Sequence, residues 1–406
     1  MNFEYFTLAV RNLLKRKKRA ALTMLGIFIG ITAVVALVSL GQGLQKTIND
    51  QFEKVGADKI IIQAKEVGAN GGGQTAPGQL KKHEIDIIKN AHGVIAVAGL
   101  LTRAVQVDYN NLERTSLLLS IPEKQKEADL ITQYLTLEAT QGRLLTHKDT
   151  QKTVIGYNLA HNNLFNKNVR TGDKLQIKGI TVEVVGVLRR IGDPGFDASV
   201  ILPEADARTA LADENTYSQI IAQSAPGENP DTVGDRVERT LRRDRHEKEG
   251  KEDFSVQTST QLIESFNTIF NVVQFVFVGI AAISLIVGGI GIMNTMYTAV
   301  LERTREIGVM KAIGARNKDV LLIFLAESGL LGLSGGIIGV VLGAALSKAI
   351  EIGANTYVGP NTITAAYPLA LIIGALLFAT LVGAISGVLP ARRASLLKPV
   401  QALRDE

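Results

Sequence analysis

Residues 284–316 have the sequence SLIVGGIGIMNTMYTAVLERTREIGVMKAIGAR. No charged residue occurs from position 284 to Leu301, and a dense charged cluster then follows. Its members are Glu302, Arg303, Arg305, Glu306, Lys311 and Arg316. An apolar run of this length ending in such a cluster is typical of a membrane span that meets the aqueous boundary. We therefore predict that residues 269–300 cross the membrane and that residues 301–319 lie at its face.

The composition indicates a membrane protein with a large polar part. With 46% hydrophobic and 20% charged residues, the chain is too apolar for an ordinary soluble protein and too charged for an all-membrane one. Runs long enough to cross a bilayer occur at 20–41, 269–300, 320–350 and 368–389. Residues 42–268 form the polar region between spans 1 and 2, and residues 351–367 a short loop between spans 3 and 4. Cysteine is absent, which excludes disulfides, thiolate nucleophiles and cysteine metal sites.

Lysine and arginine are concentrated beside three of the span ends. They cluster at residues 15–19, after span 2 and in the tail 390–406, whereas the loop between spans 3 and 4 contains only Glu351. The positive-inside rule then places both termini in the cytoplasm and residues 42–268 outside, in a multi-pass protein of the cell membrane. Acidic and basic residues nearly balance in that outer region, which argues against nucleic acid as its partner.

The N-terminal region resembles a signal peptide only superficially. Its apolar run is longer than a signal sequence needs, so we predict an uncleaved span. Ahead of it, Phe3, Phe6, Val10 and Leu13 recur at helical spacing. This favours an amphipathic, basic helix over residues 1–19 on the inner membrane surface, with a disordered basic tail as the alternative.

The outer region has mixed helix and strand patterns without a regular βαβ rhythm, which predicts an α+β fold. A strand is expected at residues 59–63, a hairpin at 174–188 and a last strand at 254–257. Because the first and last strands flank everything else, a discontinuous pair of subdomains is a plausible arrangement. The helices that leave the spans have apolar stripes that include Phe52 and Phe266. These helices either form a stalk or rest on the outer domain.

The sequence offers no catalytic, cofactor or metal site. It lacks a phosphate-binding P-loop, and its five histidines are not paired at metal-ligand spacing. Residues 332–336 match the G-x-S-x-G protease pattern, but Ser334 lies in an apolar helix and no span contains a histidine base. The alternating charges at 236–251 indicate a solvated helix face rather than a binding patch.

Glycines in the spans recur at intervals that bring helices together. Small residues let helix backbones approach where no hydrophobic force drives association, so we predict a tight bundle or dimer. The predicted packing residues are Gly26, Gly30, Gly288, Gly289, Gly335, Gly339, Gly343, Gly383 and Gly387. Glu327 is the one acid well inside a predicted span, and it forms either a structural or coupling contact or part of an ion path.

The segment after span 2 combines apolar and charged residues. Ile307, Met310, Ile313 and Gly314 alternate with charges, which favours a short amphipathic interaction helix over a solvated loop. Its position at the membrane face suits contact with a soluble partner.

Four stretches resemble one known family. Residues 284–346, together with the ending PARRASLLKPVQALR (390–404), resemble the permease signature of the MacB/FtsX-type (type VII) ABC transporter superfamily. RNLLKRKKRAALTMLGIFIGITAVVAL (11–37) resembles its first span, and GDKLQIKGITVEVVGVL (172–188) its extracytoplasmic core domain. The resemblance implies four transmembrane α-helices plus an α+β extracytoplasmic domain between spans 1 and 2.

The resemblance also implies partners and a mechanism. Family members dimerise, so a homodimer is expected, and they bind an ABC-type ATPase that carries the ATP and Mg²⁺. Because this sequence starts at the amphipathic helix, we expect that ATPase on a separate polypeptide. Its force would reach the outer domain by mechanotransmission. The implied ATPase-coupling residues are Glu302, Arg303, Arg305, Glu306, Ile307, Gly308, Lys311, Gly314 and Arg316.

The functional hypothesis is a non-catalytic permease subunit. It would extrude or extract an amphiphile such as an antibiotic, peptide or lipid. An extracytoplasmic adaptor and membrane lipids are the further partners of this hypothesis. The alternative is a membrane-anchored sensor or regulator of an extracytoplasmic partner. A secondary transporter would require an internal repeat and midplane polar residues, and neither is evident.

Overall fold

The computed structural model describes residues 17–65, 79–357 and 363–404. The helix predicted for residues 1–19 lies almost entirely outside the described residues. Contacts divide the described chain into two units. The membrane unit comprises residues 17–45, 268–353 and 363–404, and the insert domain comprises residues 46–65, 79–267 and 354–357.

Helices occur throughout the described chain, and four of them are much longer than the rest. In chain order they are α1 (Lys17–Val55), α2 (Lys82–Lys89), α3 (Gln125–Tyr134), α4 (Tyr157–His161), α5 (Pro194–Asp197), α6 (Glu204–Leu211), α7 (Pro230–Asp244), α8 (Ser259–Glu302), α9 (Thr304–Ala312), α10 (Asn317–Tyr357), α11 (Leu369–Leu396) and α12 (Pro399–Arg404). Helices α1, α8, α10 and α11 each contain a stretch long and apolar enough to cross a membrane. They coincide with the four predicted spans.

The strands all belong to the insert domain. They are β1 (Lys59–Ala64), β2 (Leu80–Lys81), β3 (Val94–Leu100), β4 (Thr102–Tyr109), β5 (Leu112–Ile121), β6 (Ala139–Gly142), β7 (Lys152–Ile155), β8 (Lys174–Ile177), β9 (Ile180–Leu188), β10 (Ser199–Pro203), β11 (Thr216–Tyr217), β12 (Gln219–Ser224) and β13 (Phe254–Thr258).

Two main sheets organise the insert domain. An antiparallel sheet has the order β13-β1-β12-β3, and a mixed sheet has the order β6-β9-β7-β10-β5-β4-β8. In the first sheet the domain's first and last strands pair directly, with Ile61 opposite Gln257. The middle of the sequence builds the second sheet, where β5–β10 and β7–β9 are parallel pairs. The predicted α+β class is therefore confirmed, with the two ends of the domain joined in one sheet.

Strand β1 is buried on both of its faces. Ile60 and Ile62 belong to one hydrophobic cluster, and Ile61 between them belongs to another. Successive side chains of a strand point to opposite faces, so an unbroken apolar run suits a strand covered on both sides. Helix α3 contributes Leu130 and Ile131 to the cluster around Ile61.

Tight turns join two pairs of neighbouring strands. Strands β8 and β9 form the predicted hairpin, in which Lys178 and Gly179 have φ values of 48° and 89°. Strands β4 and β5 are joined by Asn110 and Asn111, with φ values of 53° and 59°. Two consecutive left-handed residues are what a two-residue hairpin turn requires, and glycine and asparagine tolerate that conformation best.

Helices α1 and α8 contact each other within the insert domain. The rings of Phe52 and Phe266 lie with centroids 6.2 Å apart, tilted by 48°. Leu262 instead packs against the hydrophobic cluster around Ile61. The two helices therefore contact each other at Phe52 and Phe266, and α8 also contacts the domain at Leu262.

Glycines bring the backbones of α1 and α8 together in the membrane unit. A Cβ added to Gly26 would lie 2.6 Å from the Cα of Gly288, and one added to Gly288 would lie 2.7 Å from the backbone nitrogen of Ile27. Both distances are shorter than non-bonded carbon contacts allow, so only glycine fits this crossing. Gly30, one turn further, faces the side chain of Leu285.

Helix α10 uses two glycine faces for two neighbours. Gly339 and Gly343 approach α1, where added Cβ atoms would lie 2.7 Å and 2.8 Å from the Cβ atoms of Ile31 and Val35. Gly332 approaches α11, since its added Cβ would lie 3.0 Å from the Cα of Gly383. The other predicted packing glycines also have close neighbours or are buried: Gly289 faces Ser386, Gly387 faces Ser328, and Gly335 is buried.

Candidate functional site

Helix α9 lies between two breaks in the chain direction. Arg303, between α8 and α9, has non-helical φ and ψ of −111° and 14°. After α9, Gly314 has a φ of +105°, and the Arg316 amide donates a 3.0 Å hydrogen bond to the Asp319 carboxylate at the start of α10. The predicted interaction segment is thus a short helix, with Glu302 as the last residue of α8 and Arg316 just ahead of α10.

The inner face of α9 packs on the membrane unit. Ile307 is fully buried in a cluster that contains Met296 and Val300 of α8 and Phe324 of α10. Gly308 is buried beside it, and Met310 packs partly against the same cluster. Apolar burial therefore fixes this face of α9 in place.

Arg303 links the start of α9 to α10. Its Nη1 donates a 3.0 Å hydrogen bond to Glu327, and its Nε donates one of 3.0 Å to Glu306. Its guanidinium lies 5.5 Å from the ring centroid of Phe324. Glu327 is 7% exposed, and a carboxylate so buried needs a charged or hydrogen-bonding partner. The structure thus shows a specific contact for Glu327 with the predicted coupling segment.

Lys311 links the end of α9 to α11. Its Nζ donates hydrogen bonds of 2.6 Å and 2.8 Å to the backbone carbonyls of Ser395 and Leu397. Carbonyls at a helix C-terminus lack partners within the helix and carry partial negative charge, so an ammonium group is well suited to them. Helix α9 is therefore attached to α10 at one end and to α11 at the other.

The exposed surface of α9 and of the residues that flank it combines charge with apolar groups. Glu302, Arg305, Glu306 and Arg316 are all exposed. The apolar residues are Val309, 48% exposed, and Ile313, 82% exposed. Helix α9 ends at Ala312, and Ile313 is the capping residue just beyond that end.

The serine of the G-x-S-x-G match lies inside a helix and is hydrogen-bonded to that helix. Ser334 of the G-x-S-x-G match lies within α10 and donates a hydrogen bond to the Leu330 carbonyl of its own helix. Within residues 17–65, 79–357 and 363–404, no three His, Asp or Glu side chains gather where they could hold a metal ion.

These features define a multi-pass membrane protein with a large domain between its first two spans and a short surface helix after the second. Residues 20–240 match the family described as the MacB-like periplasmic core domain, and residues 278–399 match the FtsX-like permease C-terminal family. The chain belongs to the MacB/FtsX-type family of ABC transporter permeases. Its insert domain is the extracytoplasmic domain of that family.

Similar proteins fall into two groups by length. An uncharacterized ABC transporter permease of Methanocaldococcus jannaschii is 38% identical to this chain. The match covers 99% of this chain and 98% of that relative. The uncharacterized ABC transporter permease YknZ of Bacillus subtilis is 29% identical, with 99% of each chain covered. The macrolide export ATP-binding/permease protein MacB of Bdellovibrio bacteriovorus is 30% identical to this chain. The match covers 99% of this chain but only 62% of that relative. The chain therefore spans about three fifths of that MacB relative.

Proposed function

We propose that this chain is the permease subunit of an ABC transporter complex and that α9 is its contact with an ATPase that binds ATP and Mg²⁺. The proposal rests on the contrast between the buried face and the exposed face of α9. One face is fixed by Ile307, Arg303 and Lys311, and the other presents Arg305 and Ile313 to solvent. A rigid helix with an unburied mixed face is suited to receiving force from a soluble partner.

The attachments of α9 explain how force would spread. Helix α8 precedes α9 directly, Arg303 binds Glu327 of α10, and Lys311 binds carbonyls at the end of α11. A displacement of α9 would therefore move the ends of three spans together, as in shear and rigid-body transitions. Helices α1 and α8 continue to Val55 and from Ser259, so they would carry the movement toward the extracytoplasmic domain.

We place the ATPase on a separate polypeptide. Support comes from the two relatives named as permeases, which this chain matches over 98% and 99% of their lengths. We further propose a homodimer, because ABC ATPases work in pairs in the family that the chain resembles. The cargo would be an amphiphile such as an antibiotic, peptide or lipid, with an extracytoplasmic adaptor as a possible partner. Support for an exported amphiphile is the macrolide export named for the MacB relative.

The coupling test compares two aspartate substitutions at exposed isoleucines. Ile313→Asp would damage the α9 face, whereas Ile95→Asp changes an isoleucine that is 56% exposed in the insert domain. The chain and its copurifying ATPase are reconstituted in liposomes, and ATP hydrolysis is measured. We expect Ile313→Asp to reduce permease-dependent hydrolysis at least about tenfold, since apolar anchors at interface centres contribute roughly 1.4 kcal/mol or more. Equal activity of the two variants would contradict the placement of the ATPase on α9.

The orientation test uses the absence of cysteine from the chain. We propose that both termini and α9 lie in the cytoplasm, supported by the lysine and arginine distribution. Single cysteines are introduced as Ile313→Cys and Ile95→Cys and labelled with a membrane-impermeant maleimide in intact spheroplasts. We expect labelling of Ile95→Cys at once and of Ile313→Cys only after lysis. Immediate labelling of Ile313→Cys would contradict the proposed topology and, with it, the ATPase contact.

A further inference from the structure

An apolar groove runs between α8 and α11 on the membrane unit. It encloses a volume of about 430 Å³, and Ser386 is the one polar residue among those lining it. The groove is lined chiefly by Leu285, Ile286 and Met293 of α8 and by Phe378, Val382 and Ile385 of α11. Because both helices cross the membrane, this groove opens among lipid chains rather than water.

The groove has the depth of one membrane leaflet. From Ala282 to Met293 it extends roughly 17 Å along α8, at 1.5 Å per residue. Half of a hydrocarbon core about 30 Å thick is about 15 Å. A single extended lipid tail would therefore match the length of the groove.

A cationic group lies beyond the end of the groove that is nearer α9. The guanidinium of Arg393 on α11 lies 5.0 Å from the ring centroid of Tyr297 on α8. Tyr297 is one helical turn beyond Met293, and Arg393 is two turns beyond Ser386, so both continue the faces that line the groove. Tyrosine is enriched at the headgroup level of membranes, and a guanidinium over a ring keeps its N–H edges available for phosphate.

We propose that the groove holds an acyl chain of an anionic phospholipid whose phosphate is bound by Arg393. The apolar lining selects the hydrocarbon tail, and the charge at the groove end selects the headgroup. The lipid belongs to the leaflet on the α9 side of the membrane. This inference does not depend on the identity of the ATPase or of the cargo.

The test uses the absence of tryptophan from the chain, which makes one introduced tryptophan the only one. Ile286→Trp places it in the groove, and Val287→Trp places it on the next residue, which is outside the lining set. The two positions have nearly the same depth and are 63% and 61% exposed. Each variant is reconstituted in phosphatidylcholine vesicles that contain brominated phosphatidylglycerol or brominated phosphatidylcholine, and fluorescence quenching is measured.

We expect brominated phosphatidylglycerol to bind near Ile286→Trp about fivefold better than brominated phosphatidylcholine, the factor that one arginine near a membrane surface supplies. At Val287→Trp the ratio of the apparent affinities for the two brominated lipids should be near one. In the Ile286→Trp background, Arg393→Gln should abolish the preference, while Arg392→Gln at the exposed neighbouring residue should preserve it.

Three results would overturn the inference. Equal ratios at the two tryptophan positions, or a preference that survives Arg393→Gln, would show that the groove does not select an anionic lipid. Shielding of Ile286→Trp from both brominated lipids, with Val287→Trp still quenched, would show that a protein surface such as a second copy fills the groove.

Discussion

The membrane unit and the insert domain are held together by opposite means. In the membrane unit, helix backbones touch where side chains are missing, as at Gly26 and Gly288. In the insert domain, large branched side chains fill the space around the sheets, as at Ile60 and Ile62, which are fully buried. The surrounding medium explains the difference. Water drives apolar side chains into a core, whereas lipid is as apolar as leucine and leaves close packing as the main attraction.

The comparison implies that the two units respond differently to changes in side-chain volume. Added atoms should damage the helix crossings of the membrane unit, and removed atoms should damage the core of the insert domain. Hydrogen bonds and ion pairs of side chains should contribute to the stability of both units. Their contribution should be largest where several cationic groups bind one buried carboxylate.

The largest effect is expected at the α1–α8 crossing. Gly288→Leu would push a side chain into the backbone of α1, since even a Cβ would lie 2.7 Å from the Ile27 nitrogen. We expect a destabilisation of about 4 kcal/mol, measured as a lower melting midpoint of the detergent-purified chain. The control is Gly279→Leu in the same helix, where a Cβ would have no heavy atom within 4 Å. Similar melting of the two variants would contradict packing through glycine.

The second effect tests the insert domain by removing volume. Ile62→Ala would leave a cavity in the fully buried cluster between the first sheet and its helices. We expect a loss of about 3 kcal/mol, within the range of isoleucine-to-alanine changes in cores. Ile95→Ala, at a strand position 56% exposed, should cost far less in the same melting assay. A small cost for Ile62→Ala would mean that the sheet core is loosely packed.

The third effect depends on pH. Asp149 accepts hydrogen bonds of 2.6 Å and 2.8 Å from Arg143 and one of 3.0 Å from Lys152. The Arg143 guanidinium, more than any other group, holds the pKa of the Asp149 carboxyl well below its usual range, although burial opposes this. A lowered folded-state pKa means that the stabilisation is present above the unfolded pKa of about 3.9 and is lost as pH falls below it.

We therefore expect Asp149→Asn to cost about 2 kcal/mol at pH 7, because it weakens charged hydrogen bonds. The difference from the parent chain should shrink as pH falls below about 4. Melting midpoints between pH 3 and pH 8 would show this trend, with Glu113→Gln at an exposed strand position as the control. A difference that does not vary with pH would rule out the charge of Asp149 as its source.

The smallest effect concerns the attachment of α9. Lys311→Met keeps most of the side-chain length but removes the hydrogen bonds to the Ser395 and Leu397 carbonyls. We expect a loss of about 1 kcal/mol, because this partly exposed ammonium group can also bind water. Lys318→Met, at an exposed position in α10, should leave the melting midpoint within error of the parent. A cost as large as that of Asp149→Asn would show that α9 is held mainly by this contact.

Local sequence patterns predicted much of the fold but not its pairings. The hairpin at Lys178-Gly179 was predicted from its alternation and its glycine. The matching turn at Asn110-Asn111 was missed, although two consecutive asparagines between apolar strands are a recognisable signal. Helix α4 ends at His161, and helix α7 ends at Asp244, inside the charged run 236–251 that was expected to form one helix face. Positive φ values at Asn163 and His246 lie just beyond those ends, and propensity alone does not position such breaks.

In the candidate site, too, local sequence patterns predicted the segment but not the contacts of its single residues. The charged cluster after span 2 identified the segment, and the alternation of apolar and charged residues predicted an amphipathic helix. The sequence did not predict which apolar residues are buried: Ile307 is buried, whereas Ile313, just beyond the end of α9, is 82% exposed. Nothing in the sequence indicated that Lys311 would contact carbonyls more than 80 residues away, since that contact depends on where α11 ends.

Chain order and hydropathy alone predicted the four spans and the α+β domain between the first two, and the resemblance of four quoted stretches indicated the family. These are properties of contiguous stretches, because a span requires only about 20 apolar residues and a strand only its alternation. Only the folded arrangement assigned Gly339 to α1 and Gly332 to α11, and paired Arg303 with Glu327. Such contacts depend on how each helix is rotated about its axis, and that rotation is set jointly by all of its neighbours rather than by its own residues.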